Sequence, residues 1–109
     1  MKEFENSVYY NGSDYCMQSL KLQEISENAE TPFYVYDMDY IIKKYNKLKA
    51  SFPWENVRLF YAMKANFNPL MLKIMKENGF CLDTVSPAEV ILAKKIGFAS
   101  ENILFTANN

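Results

Sequence analysis

No histidine occurs among these 109 residues. That removes the commonest general base and metal ligand, so any catalysis here must run on lysine, carboxylates or tyrosine. There are only two cysteines, Cys16 and Cys81, far apart in the chain. They suggest neither a disulfide framework nor a zinc site, and free thiols in a reducing cytosol are the default reading. No stretch approaches the roughly 18 consecutive apolar residues of a membrane span. The opening Met1-Lys2-Glu3-Phe4-Glu5-Asn6 lacks the apolar centre of a signal peptide. Neither sign of charge dominates: 12 basic residues face 13 acidic ones, which implies no broad cationic surface for nucleic acid. A cytoplasmic protein that binds neither membrane nor nucleic acid is expected. Glycine (3) and proline (4) are scarce, so each one marks a boundary. Hydrophobic residues make up 50% and charged residues 23%, the balance of a globular domain.

Two regions follow from the pattern. Residues 1–36 read as β-like. Val8-Tyr9-Tyr10 and Tyr15-Cys16-Met17 flank Asn11-Gly12-Ser13-Asp14, and Asn-Gly is a strong hairpin signal. A short helical turn is expected near Leu22 to Asn28, and an extended stretch from Phe33 to Tyr36 after Pro32. Residues 37–109 alternate helix and strand. Ile41, Tyr45, Leu48 and Phe52 form one apolar stripe, with Asp37 or Asp39 as the cap and Pro53 past the end. Lys43, Lys44, Lys47 and Lys49 on the other side read as a solvated face, since no aromatic platform accompanies them.

From Val57 a unit repeats. A strand from Val57 to Met63 leads to Asn68-Pro69, a helix and Gly79; a strand from Cys81 to Val85 leads to Ser86-Pro87, a helix and Gly97. Each unit has a cap, a proline at the first helical position and a glycine stop. Leu70 with Ile74, and Ala88 with Ile91 and Leu92, are the expected inward faces. Ile103-Leu104-Phe105 opens a third unit. Consecutive β/α units build a parallel sheet, and the pattern fits a doubly wound sheet as well as a barrel.

Lys64 ends the uncharged run Leu59-Phe60-Tyr61-Ala62-Met63. Strand ends and the loops after them line the ligand crevice of α/β folds. An amine beside apolar walls loses hydration, which favours its neutral, nucleophilic form, able to condense with a carbonyl. The plainer reading is a lysine whose stem packs and whose head reaches water. Asp83 ends the next strand, about 4.8 Å away if the strands are neighbours. A carboxylate there would favour a proton on the amine; alternatively it bonds backbone amides at the start of a loop. Ser86-Pro87-Ala88-Glu89 is a capping-box sequence that accounts for Glu89 without chemistry.

The run Tyr61-Ala62-Met63-Lys64-Ala65-Asn66 resembles the cofactor-lysine motif of the fold-type III pyridoxal-phosphate decarboxylases, above all their diaminopimelate decarboxylase branch. Leu22-Gln23-Glu24-Ile25, Thr31-Pro32-Phe33-Tyr34-Val35-Tyr36-Asp37, Leu82-Asp83-Thr84-Val85-Ser86-Pro87-Ala88-Glu89 and Ile103-Leu104-Phe105-Thr106-Ala107-Asn108-Asn109 extend the likeness in order. Ala88 stands where relatives often have glycine. The resemblance implies an α/β fold: the N-terminal part of a pyridoxal 5'-phosphate-binding (β/α)8 barrel of the alanine racemase-like type. A short β segment, residues 1–36, precedes it and belongs with a C-terminal β domain. It also implies Lys64 as the residue that holds the cofactor, Asp83 tuning its charge, and Ala62 and Glu89 bordering it. Asn66, Asn108 and Asn109 are weaker candidates. The implied reaction is decarboxylation of meso-2,6-diaminopimelate to L-lysine by a homodimer, with no metal. Ornithine, arginine or carboxynorspermidine are alternative substrates. A complete barrel needs about 250 residues, so the chain is expected to be the N-terminal portion of a longer enzyme and inactive alone, or else a non-catalytic folding or interaction module.

Overall fold

The computed structural model describes residues 7–107. The chain divides into two compact units, 1–41 and 42–109.

In the first unit, β1 (Val8–Tyr10) and β2 (Tyr15–Met17) pair antiparallel with Tyr10 opposite Tyr15. The hairpin closes on Asn11. Its N–H donates to the Asp14 carbonyl at 3.0 Å, and its Oδ1 accepts from the N–H groups of Ser13 and Asp14 at 2.9 and 2.8 Å. Gly12, at φ 104°, supplies the left-handed residue such a turn needs. The sequence pattern did not anticipate β3 (Leu20–Lys21), which pairs antiparallel with β2 after a turn at Gln18, φ 52°. The short helix α1 (Leu22–Glu27) stands where a helical turn was expected. Residues 33–36 form no strand, and Tyr34 is 88% exposed.

Helix α2 (Met38–Ala50) starts at Asp37, whose Oδ1 accepts the Tyr40 N–H at 2.9 Å. Of its expected stripe only Tyr45 is buried; Leu48 is exposed and Phe52 lies beyond the helix. The apolar spacing was real, but burial needs a partner surface, and only Tyr45 meets one. Its ring stacks on Phe80 at 3.7 Å between centroids, and its hydroxyl donates to the Gly79 carbonyl at 2.8 Å.

The second unit is a parallel sheet of β4 (Phe60–Ala62), β5 (Cys81–Thr84) and β6 (Ile103–Phe105), in that order. The first strand is shorter than the expected Val57–Met63: residues 57–59 lie outside it at its start, and Met63 already belongs to a one-turn 3₁₀ helix, Met63–Ala65. Helices α3 (Pro69–Glu77) and α4 (Pro87–Ile96) connect the strands. Their starts are local. Asn68 Oδ1 accepts from the N–H groups of Leu70 and Met71, and Ser86 Oγ accepts from that of Glu89. Proline follows at a position whose N–H would have had no partner.

Their ends repeat too. Gly79 at φ 80° and Gly97 at φ 97° take the left-handed conformation. The next residue's N–H, from Phe80 or Phe98, returns to the carbonyl of Met75 or Ala93. These are Schellman motifs, and their apolar contact is visible in the burial of both phenylalanines with Met75 and Ala93. The inward faces are therefore Met71, Leu72 and Met75 in α3 and Ala93 in α4. Leu70 and Ile91, expected inside, are 69% and 55% exposed. Fixed helix starts and phenylalanine-anchored ends set the rotation, which a stripe of apolar residues alone does not.

The central strand β5 is buried at Cys81, Leu82 and Thr84 but only half-buried at Asp83. Buried Thr84 satisfies its hydroxyl by donating to the Leu104 carbonyl at 2.9 Å. Where the strands begin, the Arg58 guanidinium donates to the Glu101 carbonyl and, at 2.7 Å, to Asn102 Oδ1. It also lies 5.2 Å from the Phe60 ring centroid, so one cation ties the N-terminal edge of the sheet.

Burial first, and the Cys81 side chain second, raise the Tyr45 phenol above its ordinary value of 10.0. A group raised on folding contributes stability that is fully present below its unfolded value and lost as pH rises through its folded one. Denaturation midpoints are thus expected to hold constant for this residue up to about pH 10 and then fall. Tyr45→Phe should flatten that alkaline loss; an identical alkaline slope in the variant would show that Tyr45 is not its source.

Candidate pyridoxal site

The C-terminal edge of the parallel sheet gathers the chemistry-bearing residues. Strand β4 ends at Ala62, and the 3₁₀ turn then carries Lys64. Met63, with no exposed surface, anchors that turn from below while Lys64 is exposed. After the turn, Asn66 braces the loop: its Oδ1 accepts the Asn68 N–H at 3.0 Å and its carbonyl accepts the Tyr61 hydroxyl at 3.2 Å. The lysine is thus displayed from a short segment fixed at both ends.

Asp83 lies in register with Ala62 on one side and Leu104 on the other. Register partners share a face, so Ala62 and Asp83 stand together, while Tyr61 shares the opposite face with fully buried Leu82. Among the described residues no ion pair joins Lys64 to Asp83. The 3₁₀ turn carries the amine two residues past the partner of Asp83, and the carboxylate has another companion: the Thr106 hydroxyl donates to Asp83 Oδ1 at 2.6 Å. The sequence pattern places Thr106 only as part of a strand end. Its signal was position: it directly follows the third strand, while Lys64 lies two residues past the first.

Glu89 stands at the same edge with its carboxylate engaged, accepting the Val85 N–H at 2.7 Å while Ser86 Oγ accepts the Glu89 N–H at 3.2 Å. The box is closed one residue earlier than usual, at Val85 rather than at the cap residue itself. Asn108 and Asn109 lie outside the described residues. In the first unit a groove of about 260 Å³ is lined by Met17, Leu20, Ile25 and Val35 among others, with Gln18 donating to Asp37 at its rim. None of the candidate residues lines it.

A lysine and an aspartate thus stand at neighbouring parallel strand ends, with Ala62 in register with Asp83. Residues 38–109 match the family model described as pyridoxal-dependent decarboxylase, pyridoxal binding domain. The chain belongs to this family. A diaminopimelate decarboxylase of Aquifex aeolicus is 33% identical over 105 residues, covering 96% of this chain and 24% of that protein. The crystal structure of a diaminopimelate decarboxylase from M. jannaschi superposes with a TM-score of 0.88 at 28% identity, over 94% of this chain and 25% of that one. That of the Helicobacter pylori enzyme, complexed with L-lysine, gives 0.74 at 30% identity, over 82% and 23%. The chain spans about a quarter of the length of the relatives it matches. These likenesses decide between the two parallel-sheet architectures: the β/α units of this pyridoxal-binding domain are the N-terminal units of a barrel.

The residues present suit the group the family is named for. Lys64 offers a primary amine clear of any ion pair among the described residues, Ala62 adds only a methyl group on the face it shares with Asp83, and Asp83 brings one negative charge.

Proposed function

We propose that this chain supplies the cofactor-holding part of a pyridoxal 5'-phosphate-dependent amino-acid decarboxylase, acting on meso-2,6-diaminopimelate to give L-lysine and carbon dioxide. The observation that carries the reading is Lys64, exposed on a braced turn at a parallel strand end beside the Ala62–Asp83 pair. The names of the relatives support the substrate. When bound, pyridoxal phosphate supplies an electron sink for the bond pair left behind as carbon dioxide departs. The protein's part is to hold and to tune. Lys64 would hold the pyridoxal aldehyde through its ε-amine, and Ala62 would border the ring. Asp83 would favour a proton on the nitrogen held beside it. Glu89, already committed to the α4 cap, would add a second acidic group at the same sheet edge. The wider reading includes a cytoplasmic homodimer and a second, β-rich domain to which residues 1–36 belong.

The test is chemical trapping. The chain is incubated with pyridoxal 5'-phosphate, reduced with borohydride and mapped by peptide mass spectrometry. A single pyridoxyl group on the Lys64 peptide is the expected result. Label scattered over the other ten lysines in proportion to their exposure would sink the reading and leave an interaction module in its place.

A further inference from the structure

We infer that Thr106 is a positioning residue for Asp83, fixing the carboxylate so that one oxygen is committed and the other remains for the group held at Lys64. The inference rests on the cofactor reading above and adds a residue to it.

Two bonds converge on Thr106. Its N–H donates to the Thr84 carbonyl at 3.0 Å, which extends the β5–β6 ladder one residue past β6 and fixes its backbone. Its hydroxyl then donates to Asp83 Oδ1 at 2.6 Å, the short distance of a hydroxyl bonded to a charged oxygen. Among the described residues, Asp83 Oδ2 has no hydrogen-bond or ion-pair partner. An unheld aspartate samples several staggered rotamers. Here the neighbouring strand selects one. The geometry links three consecutive strand ends in order: Lys64 after β4, Asp83 on β5 and Thr106 after β6. Since Thr106 is exposed, removing its hydroxyl buries no unsatisfied group and does not threaten the fold.

Two substitutions separate a positioning role from a structural one. Thr106→Val keeps the shape and the β-branch but removes the donor, whereas Thr106→Ser keeps the donor. In the chain without cofactor, labelled with ¹³C at aspartate carboxyls, the Asp83 resonance is expected to move in Thr106→Val and to stay in place in Thr106→Ser. In the trapping experiment, the initial rate of pyridoxyl fixation at Lys64 is expected to fall about tenfold in Thr106→Val, the scale of one lost hydrogen bond to a charged group. Thr106→Ser should restore it. An unmoved Asp83 resonance in Thr106→Val overturns the inference, and so does an unchanged trapping rate accompanied by a moved resonance. Failure of the unsubstituted chain to trap at Lys64 overturns the cofactor reading itself, and the carboxylate spectrum, recorded without cofactor, tells the two failures apart.

Discussion

Lys64→Arg is expected to abolish pyridoxyl trapping at its peptide and, on the function proposed above, to cut decarboxylation by roughly 10³-fold or more. Arginine keeps the charge and nearly the length of lysine, and position 64 is exposed, so the turn at Met63–Ala65 should hold its shape. What arginine cannot do is shed its proton at working pH and present a nucleophilic nitrogen. The substitution therefore separates charge from chemistry. If Lys64 were only a lysine with its head in water, the arginine variant would decarboxylate at the parent's rate. Activity within a few-fold of the parent would remove the residue from the site.

The second large effect concerns stability. Phe98→Ala is expected to cost about 3–5 kcal/mol, measured as a shift in the chemical denaturation curve. Phe98 is 2% exposed and anchors the turn that ends α4, next to Ala93 with no exposed surface. Its loss would leave a cavity and weaken the apolar contact of the Schellman motif together. Against a typical domain stability of about 5–15 kcal/mol, that is enough to unfold a large share of molecules on mild heating. Phe67→Ala is the control: Phe67 is 61% exposed, and its truncation should shift the midpoint by less than about 0.5 kcal/mol. Similar shifts in the two variants would mean that the Gly-Phe turns do not anchor the helices.

What could be read in advance divides by how local its cause is. The caps at Asn68 and Ser86, the proline starts, the glycine stops and the Asn-Gly hairpin all depend on a few adjacent residues, and the structure has each of them. The inward faces of α3 and α4 depend on what the helices meet, so Leu70 and Ile91 turned out exposed although their spacing suggested otherwise. Strand β3 was invisible because two residues carry no periodicity. The positions of Lys64, Ala62, Asp83 and Glu89 at one sheet edge followed from strand direction alone. The 3₁₀ turn under Lys64 and the Thr106–Asp83 bond did not follow. One arises from a break in strand alternation, and the other joins residues 23 apart through register.

The helices of the second unit are also latched in sequence. Tyr45 of α2 donates to the Gly79 carbonyl at the foot of α3, and Lys76 of α3 donates to the Ile96 carbonyl at the foot of α4, at 3.2 Å. Each helix thus clasps the closing turn of its successor, like shingles laid in one direction. Since a hydrogen bond couples donor and acceptor alike, loosening any one of the three helices removes a tie from its neighbour. The three helices are therefore held as one row, and their backbone amides should share a common protection from exchange.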